Sequence, residues 1–171
     1  KFAIKKFLDS VNKLKLRKKP HLSINIETVN AVNNIEEIIK LAKGNINNIT
    51  IGRSDLASSH FKDEISQNSL IIENKIFLIS KKAAQSRLTC TVGGGIDMNT
   101  IKLYRNNKNI KLVHKLETRK VIFLKSTMLR NSNALNAALE FEKNYVLYKQ
   151  EINNLKLESE ISRLTKLQTR R

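Results

Sequence analysis

The chain has 171 residues, 40% of them hydrophobic, which suffices for one domain of ordinary size with a buried core. A single cysteine, Cys90, excludes an internal disulfide framework and fits a reducing, cytoplasmic setting, and no apolar run reaches membrane-spanning length. The formal net charge of +17 raises nucleic acid or an anionic membrane as a partner, yet the Lys and Arg are spread along the chain. Aromatics stand at 5% with no Trp, a poor supply of stacking surface.

About 20 Asn and about 20 Ile accompany the many Lys. AT-rich codons favour all three residue types, so base composition offers a second source of the basicity. Nucleic acid and membrane are accordingly not expected as main partners. The chain opens at Lys1 without an initiator Met or a signal peptide. A processed product, a cut fragment and a truncated frame are all open readings of that start.

In chain order, Phe2, Ile4, Phe7, Leu8, Val11, Leu14 and Leu16 form a helical stripe that Pro20 ends. The run Lys13-Leu-Lys-Leu-Arg-Lys-Lys19 reads as a solvated helix end. Leu22–Glu27 alternates apolar and polar residues as a short strand. Val32, Ile35, Ile38, Ile39 and Ala42 predict one amphipathic helix over Val29–Ala42, closed by Gly44. Ile49–Gly52 is a second strand and Arg53-Ser-Asp55 the turn beyond it. A helix is expected over Ile71–Ala84, a strand over Arg87–Val92 running into Gly93-Gly-Gly95, and a helix from Met98 to about Tyr104 capped by Asp97. Ile110–Leu116 and Val121–Leu124 bracket the last strand region. From about Ser132 the pattern is helical to the end, polar beyond Leu147.

Alternating strands and helices define an α/β protein with parallel strands. A closed eight-stranded (β/α)₈ barrel takes about 250 residues, so four strand signals amount to about half of one. The expected division is residues 1–130 for this part and 131–171 for a helical segment. A half barrel is further expected to expose two strand edges and an apolar inner face, and so to be poorly soluble.

Glu27 and Asp55 each stand just past a strand, 28 positions apart, the length of one strand-helix-strand unit. Adjacent parallel strands lie about 4.8 Å apart, so the two carboxylates can reach one ion. Two acids with the remaining positions open suit Mg²⁺ or Mn²⁺. From spacing alone, Asp55 as a plain helix cap is the commoner alternative.

The stretch Asn25-Ile-Glu-Thr-Val-Asn-Ala-Val-Asn-Asn-Ile-Glu-Glu-Ile38, followed by Ile51-Gly-Arg-Ser-Asp-Leu56, resembles a pattern of the HpcH/HpaI aldolases and citrate lyase β-like enzymes. Asn25, Glu27, Thr28, Ala31, Asn34, Ile35, Glu37 and Ile38 match its first part; Ile51, Gly52, Asp55 and Leu56 match the second. A looser likeness continues through Thr91–Ile96 and His114–Phe123, similar to a branch with a glycine triplet and an "F-E-T-R-K-V-V-F" run. The resemblance implies strands five to eight of a (β/α)₈ barrel with a C-terminal helical extension. It also implies Glu27 and Asp55 as metal ligands, and lyase or aldolase chemistry on a 2-oxo acid or related carboxylate. Gly52 would let the backbone pass close to the ligand, Asn25 would stand beside it, and the Ser54 and Asp55 amides would donate to the substrate carboxylate. Arg53 departs from the proline common in the family; it either adds a charge for an anionic substrate or turns to solvent. The family's catalytic base and substrate arginine would lie upstream of Lys1, so the chain by itself is expected to lack part of the machinery.

The glycine triplet reads as a flexible turn from sequence and as pocket rim from the resemblance. Glu117 and Arg119 either pair with each other or touch substrate. His21, His60 and His114 lack metal spacing, and Cys90 reads as core. Leu135, Leu139, Phe141 and Tyr145 supply either a packing stripe or an oligomer surface, and a homo-oligomer is expected of the full-length form. The competing functional class is a non-catalytic basic scaffold that binds nucleic acid or another anionic partner.

Overall fold

Four short strands, β1 (Ser23–Ile26), β2 (Asn48–Gly52), β3 (Thr89–Gly93) and β4 (Lys115–Glu117), lie side by side in chain order and parallel in the computed structural model. It describes residues 2–169, with the side chains of Phe2 and Ser132 excepted, so Phe2's place in the first apolar stripe lies outside the described side chains. In register, Ile26, Ile51, Val92 and Leu116 form one row across the sheet, all at most 1% exposed. Side chains alternate between faces along a strand, so this row and the Ile24–Ile49–Cys90 row share a face. That face meets the helices and builds the core.

The other face carries the rows Ser23–Asn48–Thr89 and Asn25–Thr50–Thr91. Asn48 is its hub. Its amide donates to the hydroxyls of Ser23 and Thr50 at 2.8 and 3.1 Å, and its oxygen accepts from Thr89 and Thr91 at 2.8 and 3.1 Å. The expected apolar inner face is therefore corrected: it is polar and internally hydrogen-bonded, because the strands alternate Ile with Ser, Asn and Thr.

Each of β1, β2 and β3 is followed by helix. Thr28 caps α2 (Val29–Asn33) by accepting from the Ala31 amide at 3.1 Å. The single helix expected over Val29–Ala42 is broken at Asn34, whose side-chain amide donates to the Asn30 carbonyl at 2.8 Å and so competes with the backbone. Then α3 (Ile35–Ala42) buries Ile35, Ile38, Ile39 and Ala42, and Gly44 at φ +80 terminates it where a side chain would be strained. Helix α1 (Phe2–Lys13) precedes the sheet and packs on α3 through Leu8. The Arg53-Ser-Asp55 segment, expected as a turn, is the first turn of α4 (Arg53–Ser58). Helix α5 (Leu70–Gln85) covers β2 and β3 with Ile72, Ile76 and Ile79. As expected, Asp97 caps α6 (Met98–Arg105), accepting from the Thr100 amide at 2.7 Å.

The last strand region also differs from expectation. Ile110 lies in a 3₁₀ turn, and β5 (Ile122–Leu124) folds back antiparallel on β4. The turn closes through Thr118: its amide donates to the Val121 carbonyl at 2.9 Å, and its hydroxyl accepts from the Val121 amide at 3.2 Å. After α7 (Lys125–Arg130) comes α8 (Ser132–Gln168), 37 residues and roughly 55 Å long at 1.5 Å per residue. Ala134, Leu135 and Ala138 pack into the body, while Leu139, Phe141 and Tyr145 are exposed. Among the described residues no helix is long and apolar enough to cross a membrane.

Candidate functional site

A cleft of about 560 Å³ opens where β1, β2, β3 and β4 end. Parallel strands leave the sheet at the same end, so the residues that close them converge without any long-range folding of loops. Glu27 follows β1, Gly52 closes β2, Asp55 lies in the first turn of α4, Gly93 closes β3 and Glu117 closes β4; all five line the cleft. Asn25 and Ser54 line it too. The structure thus brings together every site residue expected from sequence except Arg53.

The Glu27 side chain lies across Gly52. A Cβ on Gly52 would come 2.6 Å from both Cγ and Oε1 of Glu27, closer than any real contact. Gly52 therefore leaves room for the neighbouring carboxylate to lie over β2, a different reason from the ligand approach expected. The Asn25 amide donates to Glu27 Oε1 at 3.2 Å and fixes the carboxylate's outer edge. Glu117 stands against Gly93, where an added Cβ would lie 3.4 Å from the Glu117 Cβ. Burial, and then the negative charge of Glu27, push the Glu117 carboxyl above the usual carboxylate range. Like-charged acids thus share the floor, while Asp55 stands exposed at the rim.

Arg53 is corrected on both expected readings: its side chain faces neither substrate nor solvent, being fully buried. The guanidinium donates to the carbonyls of Gly93, Gly94 and Gly95 at 3.3, 2.7 and 3.0 Å and to Asn68 Oδ1 at 2.8 Å, and it lies 5.5 Å from the Tyr104 ring centroid. The planar fork of donors suits a turn that presents three carbonyls inward. The glycine triplet is consequently a pinned turn rather than a flexible one. Gly94 and Gly95 take φ +84 and +60, and a Cβ on Gly94 would come 2.7 Å from the Ser54 amide nitrogen. Gly94 thus packs over the Arg53 and Ser54 amides, and the Ser54 hydroxyl donates to Gln67 Oε1 at 2.7 Å. The Ser54 amide, expected to meet substrate, is covered by the triplet.

Sequence reasoning missed Gln67 and Asn68, which lie in an aperiodic loop between α4 and α5, and Glu142, which α8 brings to the cleft together with Leu139. Thr118 and Arg119 complete the wall; among the described residues no ion pair joins Glu117 to Arg119. None of the histidines lines this cleft. His114 Nδ1 accepts from the Cys90 amide at 3.1 Å, His21 lies at the opposite end of the sheet, and burial lowers the His60 pKa. Cys90 is core, as expected, its thiol pushed up to about 12 by burial.

Among the described residues no three His, Cys, Asp or Glu side chains close into a ready-made cage. That excludes the closed tetrahedral set of a structural zinc site from them. Glu27 and Asp55 line one oxygen-rich cleft, a donor pair whose chemistry suits a hard divalent ion that keeps its other positions for water or substrate oxygens; beside them Glu117 is raised by burial and then by the charge of Glu27.

No family model and no curated protein matches the chain. It is similar to the crystal structure of an HpcH/HpaI aldolase from Desulfitobacterium hafniense DCB-2 at 12% identity and a TM-score of 0.45. The match covers 70% of this chain and spans 42% of that one.

Proposed function

We propose that Glu27 and Asp55 hold one divalent cation, Mg²⁺ or Mn²⁺, in the strand-end cleft, and that the chain forms half of a (β/α)₈-type carbon–carbon lyase or aldolase acting on a 2-oxo acid. The observation that carries this reading is convergence: acids just beyond two adjacent parallel strands line one cleft, and one of them crosses a glycine where a side chain would displace it. The motif resemblance across Leu22–Ser59 supports the same two ligands. When bound, the ion would supply Lewis-acid stabilisation of negative charge on the substrate. Around it, Asn25 orients Glu27, Arg53 sets the triplet wall, and Arg119 offers a cation to a substrate carboxylate. Glu117 holds a proton more readily than an ordinary carboxylate does, which lowers repulsion beside Glu27.

Calorimetric titration with MnCl₂ and MgCl₂ tests the cation site. A saturable signal is expected for the chain, weakened on the order of tenfold or more in both Glu27→Ala and Asp55→Ala. Unchanged binding in both variants would sink the proposal. A second reading, an anion-binding scaffold, is favoured by Lys15, Lys18, Lys19 and His21 around a separate cleft at the other end of the sheet. It requires nucleic-acid binding that falls steeply with salt.

A further inference from the structure

We infer that α8 pairs with α8 of a second copy of this chain as a parallel, in-register two-stranded coiled coil. Beyond Glu142, which with Leu139 still lines the cleft, the helix runs on with its side chains open along nearly the whole remaining length. Phe141, Tyr145, Tyr148, Ile152 and Leu155 follow one another at alternating steps of four and three, the spacing of a coiled-coil seam. Four of them are 43–63% exposed, at 54% for Phe141, 43% for Tyr145, 63% for Tyr148 and 60% for Leu155. Tyr145 and Ile152 then occupy the a positions, and Phe141, Tyr148 and Leu155 the d positions. The body takes the first turns through Ala134, Leu135 and Ala138, Leu139 and Glu142 border the cleft, and at the base of the seam Lys120 lies 4.4 Å from the Tyr145 ring centroid.

The flanking charges identify the partner. In this register Glu151 and Glu158 fall at g, and Lys149, Lys156 and Arg163 fall at e. In a parallel pair each g residue meets the e residue five positions on in the other helix. Glu151 therefore meets Lys156 of the second copy, and Glu158 meets Arg163. In an antiparallel pair e would face e and g would face g, setting Lys against Lys and Glu against Glu. The chain's own sequence is thus complementary to itself in one orientation only. Ser159 and Ser162 continue the seam with small side chains. Leu157, Ile161 and Leu164 lie on the opposite side of the helix and stay outside the interface. The inference is independent of the cation reading, since the seam residues take no part in the cleft.

Sedimentation equilibrium on the full chain across a concentration series is expected to give a species of twice the 19.6 kDa monomer. Ile152→Ser and the double change Glu151→Lys/Glu158→Lys should each weaken dimerisation on the order of tenfold or more. The reciprocal change Lys156→Glu/Arg163→Glu should do the same, and an equimolar mixture of the two charge variants should recover the dimer. Ser162→Cys sits at a d position, where identical residues of a parallel in-register pair meet, so oxidation should link two copies; buried Cys90 does not compete. A wild-type chain that stays monomeric overturns the inference. So does either charge-reversed variant that, alone, dimerises as well as wild type, or a dimer lost in Leu164→Ser but kept in Ile152→Ser. Each of these readings leaves Mn²⁺ binding at the cleft untouched, so the two proposals fail separately.

Discussion

The two ends of the parallel sheet carry clefts of similar size and opposite character. At the strand ends about 560 Å³ is lined by Glu27, Asp55, Glu117 and Glu142; at the strand starts about 660 Å³ is lined by Lys15, Lys18, Lys19 and His21 between Leu8, Val11 and Leu16. The larger cleft is not the better site. Its cations are exposed, on a single stretch of chain that runs from α1 toward β1. The smaller one draws residues from four strands, tightens around glycines that exclude side chains, and rests on a buried arginine. In a protein of net charge +17, gathering four acids at one place runs against the general field, so that placement requires local support.

The strongest way to break the contrast is to remove that support. Arg53→Met leaves the Gly93, Gly94 and Gly95 carbonyls without their charged donor, and an unsatisfied buried polar group costs about 1–3 kcal/mol. The urea midpoint should fall by an amount equivalent to at least about 3 kcal/mol. Arg53→Lys should recover only part of it, because one ammonium cannot reproduce the fork. A midpoint unmoved by Arg53→Met would show that the triplet holds itself.

Gly52→Ala should act on the cleft alone. The added Cβ meets the flexible end of Glu27, which can swing aside, so stability should change by less than about 1 kcal/mol. Mn²⁺ affinity should nonetheless drop about tenfold as Glu27 is displaced. Equal affinity in the alanine variant would mean that Glu27's path over β2 does not matter.

Cys90 reports on the sheet between the two ends. Its folded thiol pKa, pushed up to about 12, lies above the unfolded value, so its contribution to stability is complete below pH 9 and is lost as pH rises toward 12. Urea midpoints measured upward from pH 9 should therefore decline more steeply in the wild type than in Cys90→Ala. The smallest effect belongs to the basic end: Lys18→Glu/Lys19→Glu should leave Mn²⁺ binding and the urea midpoint within error. A loss of Mn²⁺ binding there would merge the two ends into one functional unit.

Much of this arrangement was legible before any coordinates. Strand alternation and helical spacing located β1, β2, β3, α5 and α6, because burial of Ile, Val and Leu on one face leaves a period in the chain. That Glu27 and Asp55 border one cleft was legible because parallel topology ties strand ends together whatever the loops do; their reading as ligands came from the motif resemblance. Arg53 was not legible: nothing local distinguishes an arginine that turns inward from one that turns out, and the three carbonyls it holds lie 40–42 positions away. Gln67 and Asn68 belong to a loop without period. The antiparallel β5 was hidden because the Thr118–Val121 turn depends on a threonine side chain rather than on a glycine pair.

The hub at Asn48 constrains how the chain can fold wrongly. Three of its four hydrogen bonds cross to β1 or β3 and depend on the present strand alignment; the fourth stays within β2, to Thr50. Sliding β2 by one position would turn Ile49 and Ile51 toward water and send Asn48 in among the isoleucines, forfeiting the three bonds that cross strands. Misaligned intermediates are therefore penalised on both faces of the sheet together, and so short a set of strands can still find a single pairing.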